Sequence, residues 1–128
     1  MIEKLKELHK NAYVPMSHFP VSSCVVTKDG KEFYGVNVED ASTRAGTCAE
    51  RNAIFQAIAK GVKKEEFDCL HVMVSSGKMG TPCFVCRQMI HELFEQDAKV
   101  YCYDTEGRVK TYTVEELCPY PFGEEDLQ

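Results

Sequence analysis

No stretch of this 128-residue chain approaches the roughly 18 apolar residues that a membrane-crossing helix needs. The N-terminus has no apolar run resembling a secretory signal, so the protein is expected in the cytoplasm. An excess of positive charge is missing too, since fifteen Lys and Arg stand against twenty Asp and Glu for a net charge of -5. The basic residues are scattered, with Lys60, Lys63 and Lys64 their one cluster, which argues against a surface for nucleic-acid polymers. Repeats, low-complexity tracts and linkers are also lacking. At 44% hydrophobic, residues 1–128 are expected to form a single domain that buries about two-thirds of its unfolded surface.

Cysteine, by contrast, is plentiful. Seven cysteines, an odd number without a secretory signal, point to a reducing compartment with thiols available to a metal. Cys24, Cys69, Cys102 and Cys118 lie within or beside apolar segments and read as small core residues. The other three sit in two segments of similar logic, Thr47-Cys48-Ala49-Glu50-Arg51-Asn52-Ala53 and Thr81-Pro82-Cys83-Phe84-Val85-Cys86-Arg87. In each, a hydroxyl residue precedes a cysteine and an amphipathic run. Thr47 is expected to cap one helix with Glu50 three residues on, and Thr81 the other with Pro82 at the first helical position. A helix start favours thiolate over thiol. Cys83 and Cys86, three apart, would share a helix face, and Cys48 as a third sulfur would leave one tetrahedral position open, as catalytic zinc requires.

Each segment alone has a plainer reading. Thr47-x-x-Glu50 is also an ordinary capping box, and a lone C-x-x-C serves as a redox pair or as two buried thiols equally well. Together, C-A-E and P-C-x-x-C on two helix starts match the zinc deaminase signature, with cysteine where some members have histidine.

Residues 2 to about 12 show helical spacing of Ile2, Leu5, Leu8 and Ala12, and a loop with Pro15 and Pro20 leads to a strand over 21–27. Asp29-Gly30 turns the chain into a second strand over 32–38, which ends in Asn37-Val38-Glu39. Alternation sets Asn37 and Glu39 on one side, and only eight residues separate Glu39 from Cys48, so both can lie beside the sulfurs and offer hydrogen bonds to sugar hydroxyls. A helix over 48–60 buries Ala49, Ala53, Ile54, Ala57 and Ile58, with Gly61 as its C-terminal stop. A strand over 67–75 follows, with His71 as a packed residue, and its end reaches a loop over Gly77 to Gly80. A helix over 83–95 buries Phe84 or Val85 with Met89, Ile90, Leu93 and Phe94. Strands over 99–103 and 108–113 flank Asp104-Thr105-Glu106-Gly107, and Thr113 to Glu116 opens a short last helix. This α-β-β-α-β-α-β-β-α order predicts a mixed sheet with helices on its faces.

Along nearly its whole length the chain resembles the small, cysteine-ligated, homotetrameric cytidine deaminases. The resemblance rests on Ser17-His18-Phe19-Pro20-Val21, Asp29-Gly30, Gly35-Val36-Asn37-Val38-Glu39, Cys48-Ala49-Glu50-Arg51, Pro82-Cys83-x-x-Cys86-Arg87-Gln88 and Phe122-Gly123 with Asp126-Leu127, in family order. It implies a three-layer α/β/α fold with a five-stranded mixed sheet. Zinc would be held by Cys48, Cys83 and Cys86, and Glu50 would carry protons. Phe19, Asn37, Val38, Glu39, Ala49 and Phe122 would contact substrate, Phe122 from a neighbouring subunit of a homotetramer. Arg51 would hydrogen-bond to ligand thiolates and offset the net negative charge of three thiolates on a divalent ion. The implied reaction is hydrolytic deamination of free cytidine and deoxycytidine to uridine and deoxyuridine in pyrimidine salvage, with attack by a metal-activated water at C4.

The chain departs from the family pattern at Met16, where tyrosine is usual, at Asp40, where asparagine is usual, and at Thr43-Arg44, where Tyr-Gly is common. Three other readings carry different tests. A deaminase of a related aminopyrimidine nucleoside such as blasticidin S would be separated by a substrate panel. A thiol-disulfide oxidoreductase using Cys83 and Cys86 would hold no zinc. A zinc-stabilised binding module would need a fourth ligand, for which His18 and His91 are candidates without ligand-like spacing.

Overall fold

The computed structural model describes residues 1–75 and 79–128. Its frame is a five-stranded sheet in the order β2-β1-β3-β4-β5, built from β1 (Val21–Thr27), β2 (Glu32–Val36), β3 (Phe67–Val74), β4 (Lys99–Asp104) and β5 (Val109–Thr113). β1 pairs antiparallel with both β2 and β3, β3 and β4 are parallel, and β4 and β5 form an antiparallel hairpin. The sheet is therefore mixed. The helix-bearing crossovers link β2 to β3, on either side of β1, and β3 to its neighbour β4.

Alternation along the strands sends two sets of side chains to opposite faces. Val25, Leu70, Val72, Val100 and Cys102 meet α2 (Ala49–Ala59) and α3 (Phe84–Leu93) through Ala53, Ile54, Ala57, Cys86 and Ile90. On the other face Cys24, Met73 and Tyr103 pack with Leu5 of α1 (Ile2–His9). Helices thus cover both faces, the three-layer arrangement expected. A short α4 (Val114–Leu117) closes the larger core, its start fixed by Thr113 Oγ1 accepting from Glu116 N–H while Thr113 N–H donates to Glu116 Oε1. Gly35 lets α2 lie directly on β2, since a Cβ there would collide with the Ala49 carbonyl oxygen and the Ala53 nitrogen.

Several expectations need correction. α1 stops at His9, and Tyr13 instead bridges to Val38. β2 ends at Val36, because Val38 leaves the sheet to pair with Tyr13 on one side and Thr47 on the other. Ile58 is 45% exposed, and the deeply buried polar residue of α2 is Glu50. Phe84 and Val85 are both outside the core, at 74% and 59% exposed, so α3 packs through Cys86, Ile90 and Phe94. Gly61 follows Lys60, the C-cap of α2, at φ +95, as its role as a stop requires. The loop expected over Gly77 to Gly80 lies partly outside the described residues.

Candidate active site

Both long helices are capped by a cysteine rather than by the threonine upstream of it. Cys48 is the N-cap of α2 (φ -74, ψ 156) and Cys83 the N-cap of α3 (φ -66, ψ 164). Thr47 is held out of the capping position because its backbone pairs with Val38, N–H to carbonyl in both directions at 2.9 and 3.0 Å. Its hydroxyl is buried without a partner. Thr81 likewise caps nothing; its hydroxyl accepts from Arg87 Nη2 at 2.8 Å, and Pro82 precedes the cap.

An N-cap side chain folds back over the residue three positions on. Cys83 therefore leans over Cys86, and the two helix starts, brought together by the β3 crossovers, add Cys48. The three sulfurs lie within 4.8 Å of one another, with Cys48 Sγ and Cys83 Sγ 3.7 Å apart. Zinc–sulfur bonds of about 2.3 Å in a tetrahedron place neighbouring sulfurs about 3.8 Å apart, so the donor set fits zinc in both chemistry and spacing. Among the described residues this is the one cluster suited to a metal, and neither His18 nor His91 joins it. His91 instead faces the C-terminal tail, in a cavity of about 290 Å³ that Phe122 also lines.

Arg51, one turn into α2, donates from Nη2 to Cys48 Sγ at 3.4 Å. Burial works against its charge, but hydrogen bonds to Cys48 and Cys86 outweigh that and raise its pKa. The Cys48 thiol is pushed down by hydrogen bonds from Cys86, Arg51 and Cys83, while Cys86 is pushed up by its bond to Cys48 and by burial.

Glu50 is 4% exposed, and because α2 is capped at Cys48 and the Thr47 hydroxyl has no partner, it forms no capping box. Burial first, then the nearby Cys48 charge, raises its pKa to about 7. It lines a cavity of about 220 Å³ with Phe19, Ala49, Val72, Cys48 and Cys83. An adjoining cavity of about 540 Å³ is lined by Val38, Glu39, Asp40, Thr43 and Arg51, and Asn37 and Cys48 border both. The Asn37 side chain accepts from Val21 N–H at 2.8 Å and donates to the Phe19 carbonyl at 2.9 Å. Glu39 Oε1 accepts from Met16 and Ser17 N–H, each at 3.1 Å, and hydrogen bonds from Ser17 hold its carboxyl below the usual range.

The structure thus brings Cys48, Cys83, Cys86, Glu50, Arg51, Phe19, Asn37, Val38, Glu39 and Ala49 together around two connected cavities. Phe122 lines neither of them; its carbonyl accepts from Gln88 Nε2 at 2.6 Å, and its ring is 54% exposed. A residue missed in the sequence is Arg87. Its guanidinium donates to the carbonyls of Pro82 (2.7 Å) and Leu117 (2.8 Å) as well as to Thr81, and stacks on Phe84, which ties the Cys83 turn to the C-terminal segment. Its place directly after C-x-x-C was the available signal.

Known proteins resemble this chain in sequence and in fold. A cytidine deaminase of Sporosarcina psychrophila is 35% identical over 127 residues, covering 99% of this chain and 92% of its own. A probable cytidine deaminase of Dictyostelium discoideum is 33% identical over 129 residues, covering 98% and 84%. The crystal structure of cytidine deaminase from Burkholderia pseudomallei superposes with a TM-score of 0.89 at 38% identity, covering 94% of this chain and 95% of that one. Residues 1–103 match the family model described as the cytidine and deoxycytidylate deaminase zinc-binding region, and with that match the chain belongs to the zinc-binding cytidine and deoxycytidylate deaminase family.

Proposed function

We propose that this protein hydrolyses free cytidine and deoxycytidine to uridine and deoxyuridine with release of ammonia, in pyrimidine salvage. The observation that carries the reading is a buried carboxylate, Glu50, in the same small cavity as Cys48 and Cys83, whose sulfurs stand 3.7 Å apart with that of Cys86 within 4.8 Å. Cys48, Cys83 and Cys86 would hold zinc, which when bound would supply a Lewis acid that lowers the pKa of a water in the cavity.

Glu50 accepts one proton from that water and passes it to N3 of the pyrimidine as the water oxygen bonds to C4. It then carries the remaining hydroxyl proton to the amine, and the C4–N bond breaks to release ammonia as the oxygen forms a double bond to C4. A pKa near 7 suits a group that must both take and give a proton. Arg51 donates to Cys48 and offsets the negative charge of the sulfurs. Phe19 and Ala49 flank the base. Asn37 and Glu39 hold the sugar hydroxyls with the polar atoms left over from their backbone contacts, and Val38 supports the sugar between them.

The -5 charge favours a small nucleoside over a nucleic-acid polymer. We further assign residues 1–128 to a single domain acting in the cytoplasm; among the described residues no helix is long and apolar enough to cross a membrane. The exposed apolar side chains Phe84, Val85, Tyr120 and Phe122 support a homotetramer in which Phe122 reaches a neighbouring subunit's site. Incubation of the zinc-loaded protein with cytidine tests the reading through uridine and ammonia, with chelator-treated protein as control. An absence of both products would overturn it. Blasticidin S is the comparison substrate, and turnover of it in preference to cytidine would redirect the assignment.

A further inference from the structure

Between Glu39 and Cys48 the chain makes a tight loop whose donors converge on a single side chain. Asp40 Oδ1 accepts from Ala45 N–H (3.1 Å) and Gly46 N–H (2.9 Å). Asp40 Oδ2 accepts from Ser42 N–H (3.0 Å) and from the Ser42 hydroxyl. The Asp40 carbonyl adds a bond from Thr43 N–H at 3.0 Å. Inside this loop Thr43 has φ +61, a left-handed conformation that costs a β-branched residue energy and persists only when its surroundings impose it. At its end Gly46 packs so closely that a Cβ would collide with the Val38 carbonyl oxygen.

What the loop joins is the site itself. Val38 is laced to Thr47 at 2.9 and 3.0 Å, Glu39 N–H donates to the Tyr13 carbonyl at 2.8 Å, and Cys48 follows Thr47 directly. Asp40, Thr43, Glu39 and Cys48 all line the 540 Å³ cavity. A shift of the loop would therefore move the carboxylate of Glu39 relative to the sulfur of Cys48.

We propose that Asp40 is a positioning residue for substrate: its carboxylate, by holding the 40–46 loop closed, sets the distance between the sugar-binding Glu39 and the Cys48 centre. This rests on the function proposed above. A carboxylate offers acceptors on both oxygens, which four donors require, whereas an amide has one oxygen and an NH2 group that opposes the donors facing it. Hydrogen bonds from Ser42 and then Gly46 hold the Asp40 carboxyl below its usual range, so the loop keeps its anion.

The test compares wild type, Asp40→Ala and Asp40→Asn in three readouts: kcat and KM for cytidine, zinc per chain, and the equilibrium Kd for uridine, whose binding needs the sugar contacts but no chemistry. The expected result is a rise of about tenfold in cytidine KM and uridine Kd for Asp40→Ala, with a smaller rise for Asp40→Asn. Zinc content should be unchanged and kcat within about twofold. Should Asp40→Ala not fold, the isosteric Asp40→Asn carries the test. KM and Kd within twofold of wild type in the folded variants would overturn the proposal. So would loss of zinc with a parallel loss of kcat, which would make Asp40 a general support of the fold. Wild type that binds uridine yet releases no ammonia would sink the proposed function while the uridine Kd still decides the role of Asp40. Wild type that binds no uridine would overturn both.

Discussion

Cys48 Sγ and Cys83 Sγ stand 3.7 Å apart although 35 positions separate them in the chain. Nothing local enforces that approach. It follows from two helices that start on cysteines at one end of a sheet, so three thiols crowd together in a site where a cation relieves their mutual repulsion. Cys48→Ser, Cys83→Ser or Cys86→Ser should each reduce zinc from about one per chain to a small fraction, because a hydroxyl is a far poorer ligand than a thiolate. The melting temperature of the wild type should also fall on chelation, since metal bound only to the native state adds to its stability. Elemental analysis and thermal denaturation check both, and a Cys83→Ser variant that keeps full zinc would remove that sulfur from the set.

Glu50 is buried without being a helix cap, so its removal should cost chemistry and little else. Glu50→Gln keeps the volume but cannot carry a proton. Turnover of cytidine is expected to fall by about 10²- to 10⁴-fold with zinc content unchanged. The melting temperature should hold or rise, because an amide is less costly to bury than a carboxylate. Near wild-type turnover would refute the assignment.

Arg87 makes three hydrogen bonds with one guanidinium, and two of them end on Thr81 and Pro82, the residues leading into Cys83. Arg87→Lys retains the charge but cannot reach three acceptors from one ammonium. Loss of two bonds with part-buried acceptors should destabilise the protein by about 1–3 kcal/mol. Zinc release to a chromogenic chelator should quicken by about tenfold as the Cys83 turn loosens. If release is unaltered while stability drops, the arginine braces only the C-terminal segment.

Much of this was legible in the residue pattern, and the failures share a cause. Helix and strand positions follow from apolar periodicity and turn residues, which act locally, and all nine main elements occur in the expected order, with α1 and β2 ending short of their expected bounds. The helix starts do not follow in this way, because Thr47 and Thr81 are better caps than cysteine by intrinsic preference. The Thr47–Val38 pairing and the Arg87–Thr81 bond, which local preference does not show, move the caps to Cys48, one residue on, and to Cys83, two residues on. Phe84 or Val85 reads as core by hydrophobicity, yet α3 turns its small Cys86 inward to the metal cluster and leaves both outside. The cluster of three cysteines and the carboxylate beside it were legible because rare residue types stand at fixed spacing. Asp40 was visible only as a departure, since its four donors are assembled by the loop it organises.

Away from the site, His71 supplies a test in pH. Its Nδ1 lies 2.8 Å from Tyr103 Oη, and its ring stacks on Tyr101 at 4.7 Å. Burial, with a smaller contribution from the chain's amino terminus, lowers its pKa to about 4. An unfolded histidine titrates near 6.5. Between these values the unfolded chain binds the extra proton, so stability is full above about pH 6.5 and declines as pH falls towards 4. The ring is partly exposed, and with that screening the loss between pH 6.5 and 5 should be about 1 kcal/mol. His9 is shifted down by burial as well and adds a decline of the same sign, so wild type alone does not isolate His71. His71→Phe keeps the stack on Tyr101 but has nothing to protonate. It should be less stable than wild type at neutral pH, having lost the Tyr103 bond, yet lose less on acidification. Urea denaturation at about pH 6.5 and pH 5 measures the two slopes, and equal slopes would show that His71 is protonated within the fold.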